Sequence, residues 1–570
     1  MSEAEKVTYI TKRYFDESLK RSPIYATFVG INDYNDQFGE PINQKFLDDG
    51  LAFEQRYLAV IDKVEVSQLS GQALLSYQIF KRDRQMGIDG YEFDSHLIPI
   101  SQMGGAHSAF AILGSGSSAQ PFASEQDYRN FISRANGFAL YMDSVIVAMR
   151  EGIQKGVVHP EPIAEKLVPQ LAAHVVDDVT YSVFYTPLAR LDNNDTIDDA
   201  SKRKLKHDYA AMIKNTIIPA YKKVHDFVKN EYVANTRNSV GLSELPKGKK
   251  WYEYKIETNT TLPLTAEEIH SFGKQEVDRI LAQMREVKQQ VNFDGDLQAF
   301  FVYLRTDDKF YFESDQALID GYTEVKGNIN ARLHTLFEVF PKADYVVKAV
   351  EPFRAASAAA ASYTPPAPDG SRPGVFYINT RDLKAQPKFS LETLSIHEAA
   401  PGHHFQVAIQ QEVEGLPSFR KFGRYTVFAE GWALYAESLG KELGLFTDPY
   451  MWYGRLSDEQ LRAMRLVVDT GLHAFGWSRE QAIDYMRDNS SMALSDIVAE
   501  VERYISIPGQ ALAYKIGERH IRMLRNKAET ALGDKFDVKT FHTQILIDGA
   551  LPMPILEAKI DRWIATQMTS

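Results

Sequence analysis

The sequence predicts a mainly α fold, a large multi-helix chain in two lobes with a small β element. Three observations point there. First, "TAEEIHSFGKQEVDRILAQMREVKQQV" (265–291) opens with Thr265 and Glu268 in capping-box spacing and then sets Ile269, Phe272, Val277, Ile280, Leu281 and Met284 at helical intervals. Ser478 and Gln481 repeat the device in "SREQAIDYM", and Ser495 is the expected cap of "SDIVAEVERYI". Second, alternating stretches are few, with "WYEYKIET" (251–258) and "GVFYINT" (374–380) the best strand candidates. Third, a chain of 570 residues, 44% of them hydrophobic, ordinarily forms more than one compact region. The polar stretch "NTRNSVGLSELPKGKK" (235–250) sets the expected division into an N-terminal helical region, 1–240, and a helical region 241–570, either as two domains or as one continuous unit. A proline- and alanine-rich loop, "SAAAASYTPPAPDGSRPG" (357–374), precedes a cluster of histidines.

Composition narrows the function. A net charge of −12, with no dense Lys/Arg stripe, argues against nucleic acid as a partner. No stretch of about eighteen apolar residues is present, so no transmembrane segment is expected, and "MSEAEKVTYITKRY" lacks the apolar core of a signal peptide. Cysteine is absent from the sequence. That excludes disulfides, thiolate zinc sites and a cysteine nucleophile, and it suits an exported protein. Any metal must be held by His, Asp or Glu.

The stretch "SIHEAAPGHHFQ" (395–406) holds three of the fourteen histidines. His397 and Glu398 open like a His-Glu-x-x-His zinc motif, but Pro401 stands where the second histidine belongs. On a continuous helix His404 would share the face of His397 about 10.5 Å along the axis, and His403 would point elsewhere. Pro401 cannot donate a helical hydrogen bond and Gly402 admits unusual backbone angles, so the helix should break here. A break that absorbs two extra residues brings His403 to the missing position. The third ligand is sought in "FAEGWALYAESLG" (428–440), where Glu430 and Glu437 are seven apart on an apolar helix. Glu430 is the better candidate because Gly431 permits close packing, with Glu437 and His404 as alternatives.

"HEAAPGHHFQ", "FAEGWALYAE", "MRLVVDTGLHAFGWSREQAIDYM" and "IPGQALAYKIG" resemble the successive signatures of the bacterial family called domain of unknown function 885, whose members are regarded as zinc metallopeptidases. The similarity spans nearly the whole chain. It implies His397 and His403 as ligands of Zn²⁺, Glu430 as the third ligand and Glu398 as general base, and by fold-level analogy a gluzincin-like pair of lobes around a deep cleft. The family often appears as exported proteins or lipoproteins. A periplasmic or cell-envelope location with a leader already removed is therefore expected, the cytoplasm being the alternative.

The expected function is a zinc metallopeptidase that cleaves short peptides by attack of a metal-activated water. A non-catalytic peptide- or metal-binding protein, or a zinc hydrolase of a non-peptide amide or ester, are the alternatives. Tyr514, after the Pro-Gly pair at 508–509, and His473 are candidate donors to the transition state. Lys515 is a candidate receptor for a substrate carboxylate. Arg465 is a further binding candidate, although its four-residue spacing from Asp469 also suits an internal ion pair. "GVFYINT" is the candidate edge strand for an extended peptide, with Tyr377 and Asn379 facing it.

Overall fold

The computed structural model describes residues 1–351, 355, 359–367 and 372–569. The loop expected at 357–374 thus lies partly outside the described residues, at 357–358 and 368–371. The chain divides into two compact units: Met1–Leu69, Phe80–Trp251 and Ile505–Ile507 form one, and Ser70–Ile79, Tyr252–Tyr504 and Pro508–Ser570 form the other. The segment Ser70–Ile79 therefore belongs with the C-terminal unit, which a contiguous division of the chain does not anticipate.

The first unit is built from helices such as Gln44–Ile61, Glu125–Lys155, Asp199–Met212 and Ile218–Phe227. Its core is aromatic, with the Phe110 and Phe138 rings stacked at 4.1 Å between centroids. One charge is buried inside it. The Arg134 guanidinium donates to the carbonyls of Gln37 at 2.8 Å and Tyr34 at 2.7 Å and to Thr27 Oγ1 at 2.9 Å, which satisfies a group that is costly to bury alone.

The second unit carries the histidines. Helix α1, Ala266–Gln290, is capped by Thr265 with the reciprocal Glu268 contact and buries Ile269, Val277, Ile280, Leu281 and Met284, as its period predicts. Strands β1 (Tyr345–Ala349), β2 (Ala361–Thr364) and β3 (Gly374–Ile378) form one sheet in the order β1-β3-β2, with β3 parallel to β1 and antiparallel to β2. Then come α2 (His403–Glu412), α3 (Thr426–Ser438), α4 (Pro449–Ala474) and α5 (Ala513–Leu532). Helix α4 packs along α1, and α3 along α5.

Three expectations are corrected. The stretch 251–258 is helical, within Gly248–Thr260, and it buries Trp251, Tyr252, Ile256 and Thr260, a spacing of about four that outweighs its apparent alternation. Ser495 lies inside the helix Leu494–Ser506, not at its cap. Strand β3 is central, hydrogen-bonded on both sides, so it offers no edge to a peptide. The capping box of Ser478 and Gln481 is present as expected.

The approach of α3 to α5 rests on a pair of glycines. A methyl at Gly431 would stand 2.5 Å from Gly517 Cα, and one at Gly517 would stand 2.1 Å from the Val427 carbonyl oxygen. Gly517→Ala should therefore destabilise the chain by about 1–3 kcal/mol through overpacking. Gly327→Ala, on a helix with no atom within 4 Å of the added methyl, should leave stability unchanged or slightly raised. Thermal melts of both variants check this; equal melting of Gly517→Ala and parent would contradict the close crossing.

Candidate metal centre

The helix Leu391–Leu394 widens into a π turn over Ser395–Ala399, and the chain leaves helical geometry at Ala400, with φ −119° and ψ 133°. The Ala400-Pro401 peptide is cis. The Gly402 N–H donates across the interruption to the Ile396 carbonyl at 2.9 Å, and α2 begins at the next residue. A side chain at 402 could not fit, because its Cβ would fall 2.1 Å from the His397 carbonyl oxygen and 2.2 Å from that of Ile396. On the far side, Trp432 Nε1 on α3 donates to the Pro401 carbonyl at 2.8 Å. The break is thus closed on itself and fastened to the helix that carries Glu430.

With the chain folded this way, His397 and His403 face each other, ring centroids 4.8 Å apart and planes near perpendicular. Each presents Nε2 at 3.5 Å from Glu430 Oε2. The three candidate ligand atoms lie within 4.8 Å of one another. Around a tetrahedral ion with bonds of about 2.0–2.2 Å, neighbouring ligand atoms stand about 3.4 Å apart, close to the two distances from Glu430. Glu430 Oε2 is buried and makes no hydrogen bond, an expensive state for a carboxylate oxygen unless a positive charge, carried by the imidazoles or by a bound ion, shares the site. The residues present therefore fit a divalent ion of the zinc class.

Electrostatics reinforce the arrangement. Burial would raise the Glu430 carboxyl, but the imidazoles of His403 and His397 hold it well below the usual carboxylate range. Burial would lower His397, yet the carboxylates of Glu430 and Glu437 push it up to about 10. Glu437 is fully buried and sits behind His397, not beside Glu430: its Oε1 accepts from His397 Nδ1 at 2.7 Å and its Oε2 from the Thr393 hydroxyl at 3.0 Å. That bond places the proton on Nδ1 and leaves the Nε2 lone pair for an ion. Arg455 lies 3.5 Å from Glu437 Oε2, the oxygen that also meets Thr393, and 3.3 Å from Glu459. Glu398, half-buried and next to His397, makes no hydrogen bond or ion pair among the described residues.

The other candidates divide. His404 is turned away from the triad: its Nδ1 meets the Tyr363 hydroxyl at 2.7 Å and its Nε2 the Ala343 carbonyl at 3.0 Å, so neither nitrogen is available to an ion. His473 is fully buried, bonded at Nε2 to the Tyr504 carbonyl at 2.9 Å, and is a core histidine rather than a catalytic donor. Lys515 is buried among Glu459 at 2.6 Å, Glu518 at 2.6 Å and Glu276 at 3.0 Å, with no capacity left for a substrate carboxylate. Arg465 pairs with Glu500 at 2.8 Å instead of Asp469. Asp469, pushed up to about 7 by burial against the opposing bonds, accepts from the Tyr252 hydroxyl at 2.6 Å and from Gly509 N–H at 3.0 Å. Asn379 Nδ2 donates to the Ala355 carbonyl at 2.8 Å, a structural role, and Tyr377 lies on the central strand between Lys348 and Ser362. Tyr514 keeps its hydroxyl free of hydrogen bonds among the described residues, while Arg465 covers its ring at 4.5 Å.

Sequence reasoning missed Thr393, Trp432 and Arg455. Thr393 stood four residues before His397, the spacing at which a helix sets two side chains on one face, and Arg455 stood four before Glu459.

Solved structures share this architecture, two of them as follows. A chain described as "the putative lipoprotein from Colwellia psychrerythraea" superposes with a TM-score of 0.88 at 27% identity, covering 99% of this chain and 100% of that one. A second, described as "a putative lipoprotein of unknown function from Shewanella oneidensis", gives a TM-score of 0.75 at 20% identity over 96% of this chain and 98% of its own, and shows the fold alone. No curated protein matches the sequence. The profile of the family described as bacterial protein of unknown function (DUF885) matches residues 23–560, and the chain belongs to that family.

Proposed function

We propose that this chain is a zinc-dependent hydrolase, a metallopeptidase of gluzincin type that cleaves short peptides. The observation that carries the reading is the Glu430 oxygen, buried and without a hydrogen bond, 3.5 Å from the Nε2 atoms of both His397 and His403. Two imidazoles and one carboxylate are the ligand set of a catalytic zinc that keeps a fourth position open. When bound, Zn²⁺ would polarise a water and a substrate carbonyl.

The chain's own residues then have separable tasks. Glu437 holds the proton of His397 on Nδ1 and so fixes which nitrogen faces the ion. Glu398 offers an uncommitted carboxylate next to a ligand, suited to take the proton of the attacking water and pass it to the leaving amine. The free Tyr514 hydroxyl, on the helix that crosses α3 at Gly431, is the donor to the developing oxyanion. A protein that only bound peptide or metal would have no use for the unpaired Glu398 carboxylate. Among the described residues no helix is long and apolar enough to cross a membrane. The resemblance to a chain described as "the putative lipoprotein from Colwellia psychrerythraea" favours the cell envelope as its place of action.

Glu398→Gln should keep zinc content and folding while lowering peptide hydrolysis by about 10²–10⁴. His397→Ala should instead lose the metal. Zinc analysis and cleavage of a peptide panel, run in parallel on the two variants, separate the roles; a Glu398→Gln protein as fast as the parent would refute the assignment. Glu437→Gln should weaken zinc binding by about 10–100-fold, because the amide can still accept from His397 Nδ1 but no longer supplies the negative charge behind the imidazole.

The pH dependence has a definite sign. In the metal-free chain His397 holds its proton up to about pH 10, so zinc must displace it. Between about pH 6 and 8 zinc affinity should rise by up to about tenfold per unit, with about one proton released on binding. Calorimetry in buffers of different ionisation enthalpy measures both, and a pH-independent affinity would count against His397 as a ligand.

A further inference from the structure

The second histidine of the His403-His404 pair is spent on the sheet. A carbonyl can only accept, so His404 Nε2 carries the proton given to Ala343 O at 3.0 Å, and Nδ1 accepts from the Tyr363 hydroxyl at 2.7 Å. The ring reaches all three strands. It lies 5.0 Å from the Tyr345 ring on β1 and 5.5 Å from the Tyr363 ring on β2, and it passes so close to β3 that a methyl at Gly374 would stand 2.9 Å from Nδ1 and 2.9 Å from the Tyr363 oxygen. His404 is buried, and its neighbour in sequence is the candidate ligand His403.

The strand so held is the edge of the sheet. Among the described residues strand β2 pairs only with β3, and it packs against the Ser395–Ala399 turn that carries His397 and Glu398. Asn379 N donates to Ala360 O at 2.9 Å, so in this antiparallel ladder residues 360, 362 and 364 turn their backbone groups to β3. Ala361 and Tyr363 turn theirs outward. Among the described residues those N–H and C=O groups make no hydrogen bond, and both residues are partly exposed. An unpaired strand edge recognises one chemistry above others, an extended polypeptide backbone with alternating donors and acceptors.

We infer that His404 is a positioning residue: through Tyr363 it fixes the free edge of β2 to the helix bearing His403, and an extended peptide pairs with Ala361 and Tyr363 in register with the metal centre. This inference rests on the peptidase reading above. It replaces β3, which is central, with β2 as the peptide-binding strand.

The test uses the full zinc-loaded chain in two arms. In the Glu398→Gln variant, which does not consume its ligand, hydrogen exchange over 361–364 is followed with and without unstructured hexapeptides. The amides of Ala361 and Tyr363 should slow by about tenfold or more when peptide binds. If peptide binds and these amides exchange unchanged, the edge assignment is overturned; if none of the hexapeptides binds at millimolar concentration, both it and the peptidase reading fall. In the second arm Tyr363→Phe, which keeps the ring and removes only the hydroxyl, should raise KM for hexapeptides about tenfold with kcat and zinc content within twofold of the parent. A purely structural bond would lower the melting temperature and leave KM where it was, which would overturn the positioning role while peptide cleavage by the parent kept the peptidase reading standing.

Discussion

Two imidazoles six residues apart cannot meet on an uninterrupted helix, and the interruption at Ala400–Gly402 is the feature on which the rest of the site depends. Its geometry is set by three contacts. Gly402 N–H closes the loop onto Ile396, the missing Cβ at 402 leaves room for the carbonyls of Ile396 and His397, and Trp432 ties the Pro401 carbonyl to α3. Because the tryptophan lies two residues after Glu430, the same bond that anchors the break also sets the distance between the histidines and the carboxylate. Gly431, between them, brings α3 against α5. A short run of sequence thus carries a ligand candidate, a helix contact and a clamp on the partner loop.

Beneath the triad the unit buries a chain of alternating charges. Glu437, Arg455, Glu459, Lys515 and Glu518 follow one another with contacts of 3.5, 3.3, 2.6 and 2.6 Å. Arg279 joins at Glu459, 2.6 Å away. Breaking such a series by removing one member leaves an uncompensated buried charge, which costs far more than the pair contributes in place. That balance explains why Lys515, attractive in sequence as a receptor for a substrate, is already committed; Arg465 is committed apart from it, to Glu500 at 2.8 Å. It also gives His397 a rigid rear support, since Glu437 is held by Thr393 and Arg455 before it meets the imidazole.

Much of the site was legible in the sequence because its signals are local. His397, Glu398, Pro401, Gly402 and His403 stand within seven residues, and the chemistry of proline and glycine announces the break. The acidic residues on the apolar helix 428–440 stood out for the same reason. Gly431 favoured Glu430 over Glu437 in the sequence, but both lie on one helical face, and the rotation of α3 against the break decides which reaches Nε2. Fold class followed from capping boxes and period, but 251–258 shows how an alternating string becomes a helix when burial recurs every fourth residue. The order of strands, the commitments of His404 and His473, and the partners of Lys515 and Arg465 are set by contacts between distant segments, which no local pattern encodes.

The central claim is that His397, His403 and Glu430 share one ion. Anomalous diffraction at the zinc edge, on crystals of the chain grown with stoichiometric zinc, tests it most directly. The account predicts a single strong peak bonded to His397 Nε2, His403 Nε2 and a Glu430 oxygen at about 2.0–2.2 Å. A peak elsewhere in the chain, or none at these three residues, would contradict it.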